Sequence, residues 1–79
     1  MMIRVKLIAN YRKLLPPEAR NGEVELDVPA GATVHDVISR FDIPLNDESV
    51  IVLNGLTVDM STRLTEGDVV TAFSAIAGG

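Results

Sequence analysis

One amphipathic stripe constrains this chain more than any other feature. Val34, Val37, Ile38 and Phe41 fall at i, i+3, i+4 and i+7, so a helix through them carries a single apolar face. Pro29-Ala30-Gly31-Ala32 breaks the chain ahead of it, and Thr33 then reads as the N-cap. Asp36 stands where a capping box places Glu or Gln, and its charge suits the positive helix end. Pro44 disfavours helical geometry at Ile43, so the helix is expected to end near Phe41–Asp42.

The segments around the helix have period two. Met2 to Ile8 alternates apolar and charged residues, as does Glu23 to Val28, with Val24, Leu26 and Val28 on one face. These read as two half-buried strands able to pair antiparallel. Between them lies one helical turn at Tyr11–Leu15, stopped by Pro16-Pro17. Val50-Ile51-Val52-Leu53 is a continuous apolar run, the pattern of a buried central strand. Asn54-Gly55 before Leu56-Thr57-Val58 signals a tight hairpin, because a type I′ turn needs two residues at positive φ. Leu64 to Asp68 reads as a turn delivering a last strand, Val69 to Phe73.

A helix this short buries its stripe best across one face of a sheet, which gives an α+β, two-layer domain. The expected architecture is a β-grasp, a mixed four- to five-stranded sheet with one helix packed across it. The right-handed crossover rule would set the second hairpin beside the first. Residues 1–73 form the expected domain, and 74–79 the expected flexible tail.

Composition narrows the function. Seventy-nine residues allow one domain, which buries about 60% of the surface its unfolded chain exposes. The chain has no cysteine and one histidine, which excludes thiolate metal sites and a cysteine nucleophile. The expectation is a soluble, cytoplasmic protein that binds neither membrane nor nucleic acid. Its net charge is −4, and duplex binding rests on basic groups. Residues 1–35 carry +1 and residues 36–79 carry −5, so the second half would steer toward a basic partner surface.

Conventional catalytic constellations are missing. His35 falls in the first helical turn, where the helix dipole opposes its protonation. Asp42, Asp47 and Glu48 lack the ligand spacing of a calcium loop. Ser39, Ser49, Ser61 and Ser74 have no adjacent base. Gly31, Gly55 and Gly67 each sit alone in a turn, so no phosphate-cradling loop forms. The remaining feature is Gly78-Gly79. Glycine has no Cβ, so such a pair threads a narrow channel and exposes its carboxyl carbon on either face. Fully extended, Ser74 to Gly79 would reach about 20 Å from the domain. Those properties suit a carboxylate presented to another protein's active site.

The element order resembles the ubiquitin-like sulfur-carrier family, which includes the small subunit of molybdopterin synthase and the thiamine-biosynthesis sulfur carrier. The resemblance rests on the Pro29 to Val34 lead into the helix, the Val52-Leu53-Asn54-Gly55 hairpin, the Leu64 to Asp68 turn and Gly78-Gly79. It spans nearly the whole chain. It implies that Gly79 is adenylated by a ubiquitin-activating-like enzyme and then thiocarboxylated, while Gly78 supplies the clearance to enter that enzyme. No cofactor is implied on the chain itself, which would be a carrier and not an enzyme on its own, and the activating partner uses ATP. Further implied partners are a sulfur-donor enzyme and either a molybdopterin synthase large subunit or a thiazole synthase. Phe73, Ile76 and Ala77 are the implied partner-binding residues.

Two points stay open in the sequence. On the last strand, periodicity favours burying Phe73 with Val69 and Thr71, whereas the resemblance favours Val70 and Ala72 inward and Phe73 as a docking anchor. The pathway is equally open. Ile76-Ala77-Gly78-Gly79 is similar to the thiamine carrier's end, while the length and the Tyr11–Pro17 segment are similar to the molybdopterin subunit, whose relatives also serve tungsten cofactors. Other readings are a ubiquitin-like modifier conjugated through Gly79, and a non-catalytic β-grasp binding module.

Overall fold

Strict alternation makes the first strand two-faced. In β1 (Met2–Leu7), Ile3, Val5 and Leu7 are buried while Met2, Arg4 and Lys6 are exposed. The computed structural model describes residues 1–44 and 48–75. A 3₁₀ helix, Ala9–Leu14, follows β1, then β2 (Glu23–Asp27), α1 (Val34–Ile38), β3 (Ser49–Leu53), β4 (Leu56–Thr57) and β5 (Val69–Ser74). Among the described residues no helix is long and apolar enough to cross a membrane.

The five strands form one mixed sheet in the order β2-β1-β5-β3-β4. β1 pairs antiparallel with β2 (Val5 opposite Val24) and parallel with β5 (Val5 opposite Val70). β5 in turn pairs antiparallel with β3, and β3 with β4. This corrects the expected strand order. The second hairpin does not adjoin the first, because β5 inserts between them. β5 takes the middle because Val70 and Ala72 have no exposed surface, and only an inner strand beneath the helix offers such cover. The β3 run Val50–Val52 is half-buried, not the centre of a sheet covered on both faces. One helix covers one face.

The capping box at α1 forms as the residues require. The Asp36 N–H donates to Thr33 Oγ1 at 3.2 Å, and the Thr33 N–H donates to Asp36 Oδ2 at 3.0 Å. Hydrogen bonds from Thr33, first from its backbone and then from its side chain, hold the Asp36 carboxyl below its ordinary pKa. The helix is shorter than expected. Past Ile38 the chain tightens to i→i−3 bonds, Arg40 N–H to Val37 O and Phe41 N–H to Ile38 O, both 3.1 Å. The apolar stripe survives this change, since Val34, Val37, Ile38 and Phe41 are all buried against the sheet's inner face. Full burial of each such side chain contributes roughly 1.5–3 kcal/mol.

Asn54 and Gly55 have φ of 51° and 83°, the two positive values a type I′ turn requires.

Candidate docking face

β5 positions the last residues of the chain, and its placement is set by a polar clamp at its entry. The Asn54 N–H donates to Val69 O at 2.8 Å, and the Val69 N–H donates to Asn54 Oδ1 at 2.9 Å. The Asn54 side-chain amide donates to Asp68 Oδ1 at 3.0 Å. Asp68 also accepts from the Thr65 N–H at 2.8 Å and the Thr65 hydroxyl at 3.1 Å. Burial pushes the Asp68 carboxyl up, and the bonds from Thr65 and Asn54 outweigh it, so its pKa lies below the ordinary value. The hairpin tip is thereby bolted to the start of β5. Reading Asn54-Gly55 only as a turn misses this second role, which shows only once the two loops meet.

With its entry fixed, the alternation of β5 is decided. Val70 and Ala72 stand opposite Val5 and Leu7 of β1 and share their buried face. Val69, Thr71 and Phe73 therefore lie on the open face, each half-buried. Phe73 is outside the core, which resolves the alternative that periodicity left open. Its register partner on β3 is Val50, and Thr71 faces Val52. On the other side Arg4 and Lys6 stand beside Val69 and Thr71. The Ile8 N–H donates to Ala72 O at 3.1 Å, which carries the β1 alternation one residue further and leaves Ile8 39% exposed on the same face. The result is an apolar row of Ile8, Phe73 and Val50 at the exit of β5, followed by a basic pair on β1.

The exit itself is held. Tyr11 Oη lies 2.7 Å from Ser49 Oγ, and Ser49 Oγ donates to Pro44 O, tying the 3₁₀ helix to the start of β3. The strand runs one residue past Phe73, because Ser74 pairs with Ser49, and the Ala75 N–H then donates to Glu48 O at 2.7 Å. Ile76, Ala77, Gly78 and Gly79, together with Asp47, lie outside the described residues. Asp42, Glu48 and His35 are exposed. Among the described residues no three His, Asp or Glu side chains gather as a metal site would need.

Strand order, helix placement and open face define a ubiquitin-like β-grasp protein. The chain belongs to the Mut7-C ubiquitin family, whose model matches residues 1–77. No curated protein sequence matches it. Among solved structures, SAMP1 from Haloferax volcanii is 22% identical, with full coverage of both chains and a TM-score of 0.76. A putative molybdopterin converting factor, subunit 1, from Pyrococcus furiosus is 29% identical over 95% of this chain and 98% of its own, with a TM-score of 0.73. A complex of subunits 1 and 2 of molybdopterin-converting factor from Helicobacter pylori 26695 contains a chain 17% identical, covered fully on both sides, with a TM-score of 0.63. The first and last of these share the fold; the Pyrococcus protein adds sequence likeness. The resemblance to ubiquitin-like sulfur carriers read from the motifs stands.

Proposed function

We propose that this protein is a sulfur carrier that works through the carboxylate of Gly79. The observation that carries the reading is the apolar row of Ile8, Phe73 and Val50 on the open face, at the exit of the strand that leads to Gly78-Gly79. A partly exposed aromatic beside a presented terminus is suited to docking on an enzyme that acts on that terminus. The likeness to a molybdopterin converting factor subunit 1 supports the same reading.

A free carboxylate is a poor electrophile. In the proposed cycle a partner attaches AMP from ATP to Gly79, releasing pyrophosphate. The mixed anhydride has a good leaving group, and a sulfide-level sulfur nucleophile supplied by a donor enzyme attacks the carbonyl carbon and displaces AMP to leave a thiocarboxylate. That sulfur then passes to a biosynthetic acceptor held by a molybdopterin synthase large subunit or by a thiazole synthase, and water returns Gly79 to the carboxylate; the Helicobacter complex of subunits 1 and 2 supports a second-subunit partner. Phe73, Ile76 and Ala77 dock, Gly78 gives clearance, and the residues beyond the Ser74–Ser49 pair and the Ala75–Glu48 bond act as the presented tail.

The test is an extension. One alanine added after Gly79 leaves the fold and the docking face untouched. The expected result is an unchanged urea midpoint with adenylation by the activating enzyme abolished. Retained adenylation would overturn the Gly79 mechanism. Conjugation to target lysines would use the same adenylate, and lysine-linked adducts in cells would identify that use.

A further inference from the structure

One margin of the sheet leaves backbone hydrogen-bonding groups open. β2 is the outermost strand, and its backbone alternation is fixed at both ends. At one end the Glu23 N–H and C=O both bond to Arg20, at 2.9 Å each, pointing away from β1. At the other, Val28 bonds back to Met1 through both its groups. In an antiparallel pair the direction alternates residue by residue, so Glu25 and Asp27 also turn their N–H and C=O outward. Among the described residues those four groups have no partner.

The chain itself starts a sixth strand here and abandons it. Arg20 makes the first rung opposite Glu23, and the chain then turns away through the bond from Ala19 N–H to Pro16 O. A shallow concavity of about 440 Å³ opens at this point, lined by Arg4, Glu18, Arg20, Glu23, Val24 and Glu25. Its chemistry is shown by what already pairs with β2. On the inner side Arg4-Val5-Lys6 faces Glu25, Val24 and Glu23, a basic–apolar–basic triplet. On the outer side the single rung present is again an arginine. Arg4 lies 3.9 Å from Glu23, and the N-terminal ammonium pairs with Asp27. Glu25 has no ion-pair partner among the described residues, and Leu26 beside it is half-buried.

We propose that the β2 edge accepts an extended segment of a partner protein, antiparallel to β2, with a basic–apolar–basic triplet at its centre. Its two basic residues stand opposite Glu25 and Asp27 and exchange N–H···O bonds with both. Its apolar residue lies over Leu26 on the helix side. A second copy of this chain is disfavoured as occupant, because pairing β2 with β2 sets glutamates opposite acidic residues. Glu25 and Asp27 lie two strands from Phe73 and level with Arg4 and Met2, at the end of β1 away from Ile8, so the edge is available while a partner holds the apolar row.

The test uses the whole protein, isotope-labelled, titrated with a capped peptide Thr-Arg-Val-Lys-Thr. The expected result is a saturable shift of the Glu25 and Asp27 amide signals, with Phe73 and Val50 unmoved. N-methylation of the peptide at its Arg and Lys should abolish binding, and Glu25→Lys should weaken it roughly tenfold. Glu25 is exposed, so the variant should fold normally, and Glu25→Gln should weaken binding by less. Absence of saturable shifts at millimolar peptide, equal binding of the N-methylated peptide, or shifts centred on Phe73 would overturn the proposal. Adenylation of Gly79 is expected to be unaffected by Glu25→Lys, which keeps this test separate from that of the carrier reading.

Discussion

The two faces of the sheet share one backbone and have opposite jobs. On the helix side, β5 contributes Val70 and Ala72, neither with any exposed surface. One residue along in each case, Thr71 and Phe73 are only partly buried, on the other side. The first face holds the fold together; the second is the face proposed for docking. A single strand can thus separate stability from recognition, because a period of two sends neighbours to opposite faces.

The largest effect belongs to the covered face. Ile38→Ala removes a fully buried side chain beneath the sheet, and urea denaturation should show a loss of about 2–5 kcal/mol. A loss below 1 kcal/mol would mean that the helix is not what holds this face. Next comes the clamp at the β5 entry. Asp68→Ala leaves the Thr65 N–H and the Asn54 amide without their acceptor and should cost about 1–3 kcal/mol. The same carboxylate predicts a pH dependence. Asp68 and Asp36 titrate lower in the folded protein than in the unfolded chain. Their contribution is complete above the ordinary carboxylate pKa of about 4 and is lost as pH falls through the lowered folded values. Denaturation midpoints should therefore drop below pH 4, and Asp68→Ala should flatten that drop.

Thr33→Ala removes one half of the capping box, and about 1 kcal/mol is the expected loss. The smallest change in stability falls on the open face. Phe73→Ala should shift the unfolding free energy by less than about 1 kcal/mol, because the ring lies on the open face outside the core with part of its surface exposed. Transfer assays with the activating enzyme should nonetheless fall at least tenfold. A Phe73→Ala variant that unfolds readily would place the ring in the core and erase the distinction between the faces.

Part of this division is legible in the residues alone. β1 and β2 follow from unbroken alternation, and the Asn54-Gly55 turn from the two positive φ values it needs. Thr33 and Asp36 announce the helix start by spacing. The helix end is less visible, because Phe41 is buried from a 3₁₀-like turn as well as it would be from an α-helix. Strand order is not encoded in periodicity. β5 lies beside β1, more than sixty residues away in sequence, through packing that no local pattern reports. Phe73 was ambiguous for a related reason. Val69 and Phe73 are as apolar as Val70 and Ala72, so only pairing with Val5 and Leu7 decides which set turns inward. The Asn54–Asp68 clamp joins two loops fourteen residues apart and reads from the sequence as two unrelated turns.

The most direct test of the carrier account is the intact mass of the protein purified from its native host without reductant. The account predicts a species heavier by the difference between sulfur and oxygen, localised by fragmentation to Gly79. An unmodified mass in cells actively making cofactor, with no adenylate formed on incubation with ATP and the activating enzyme, would contradict it and leave a β-grasp binding module in its place.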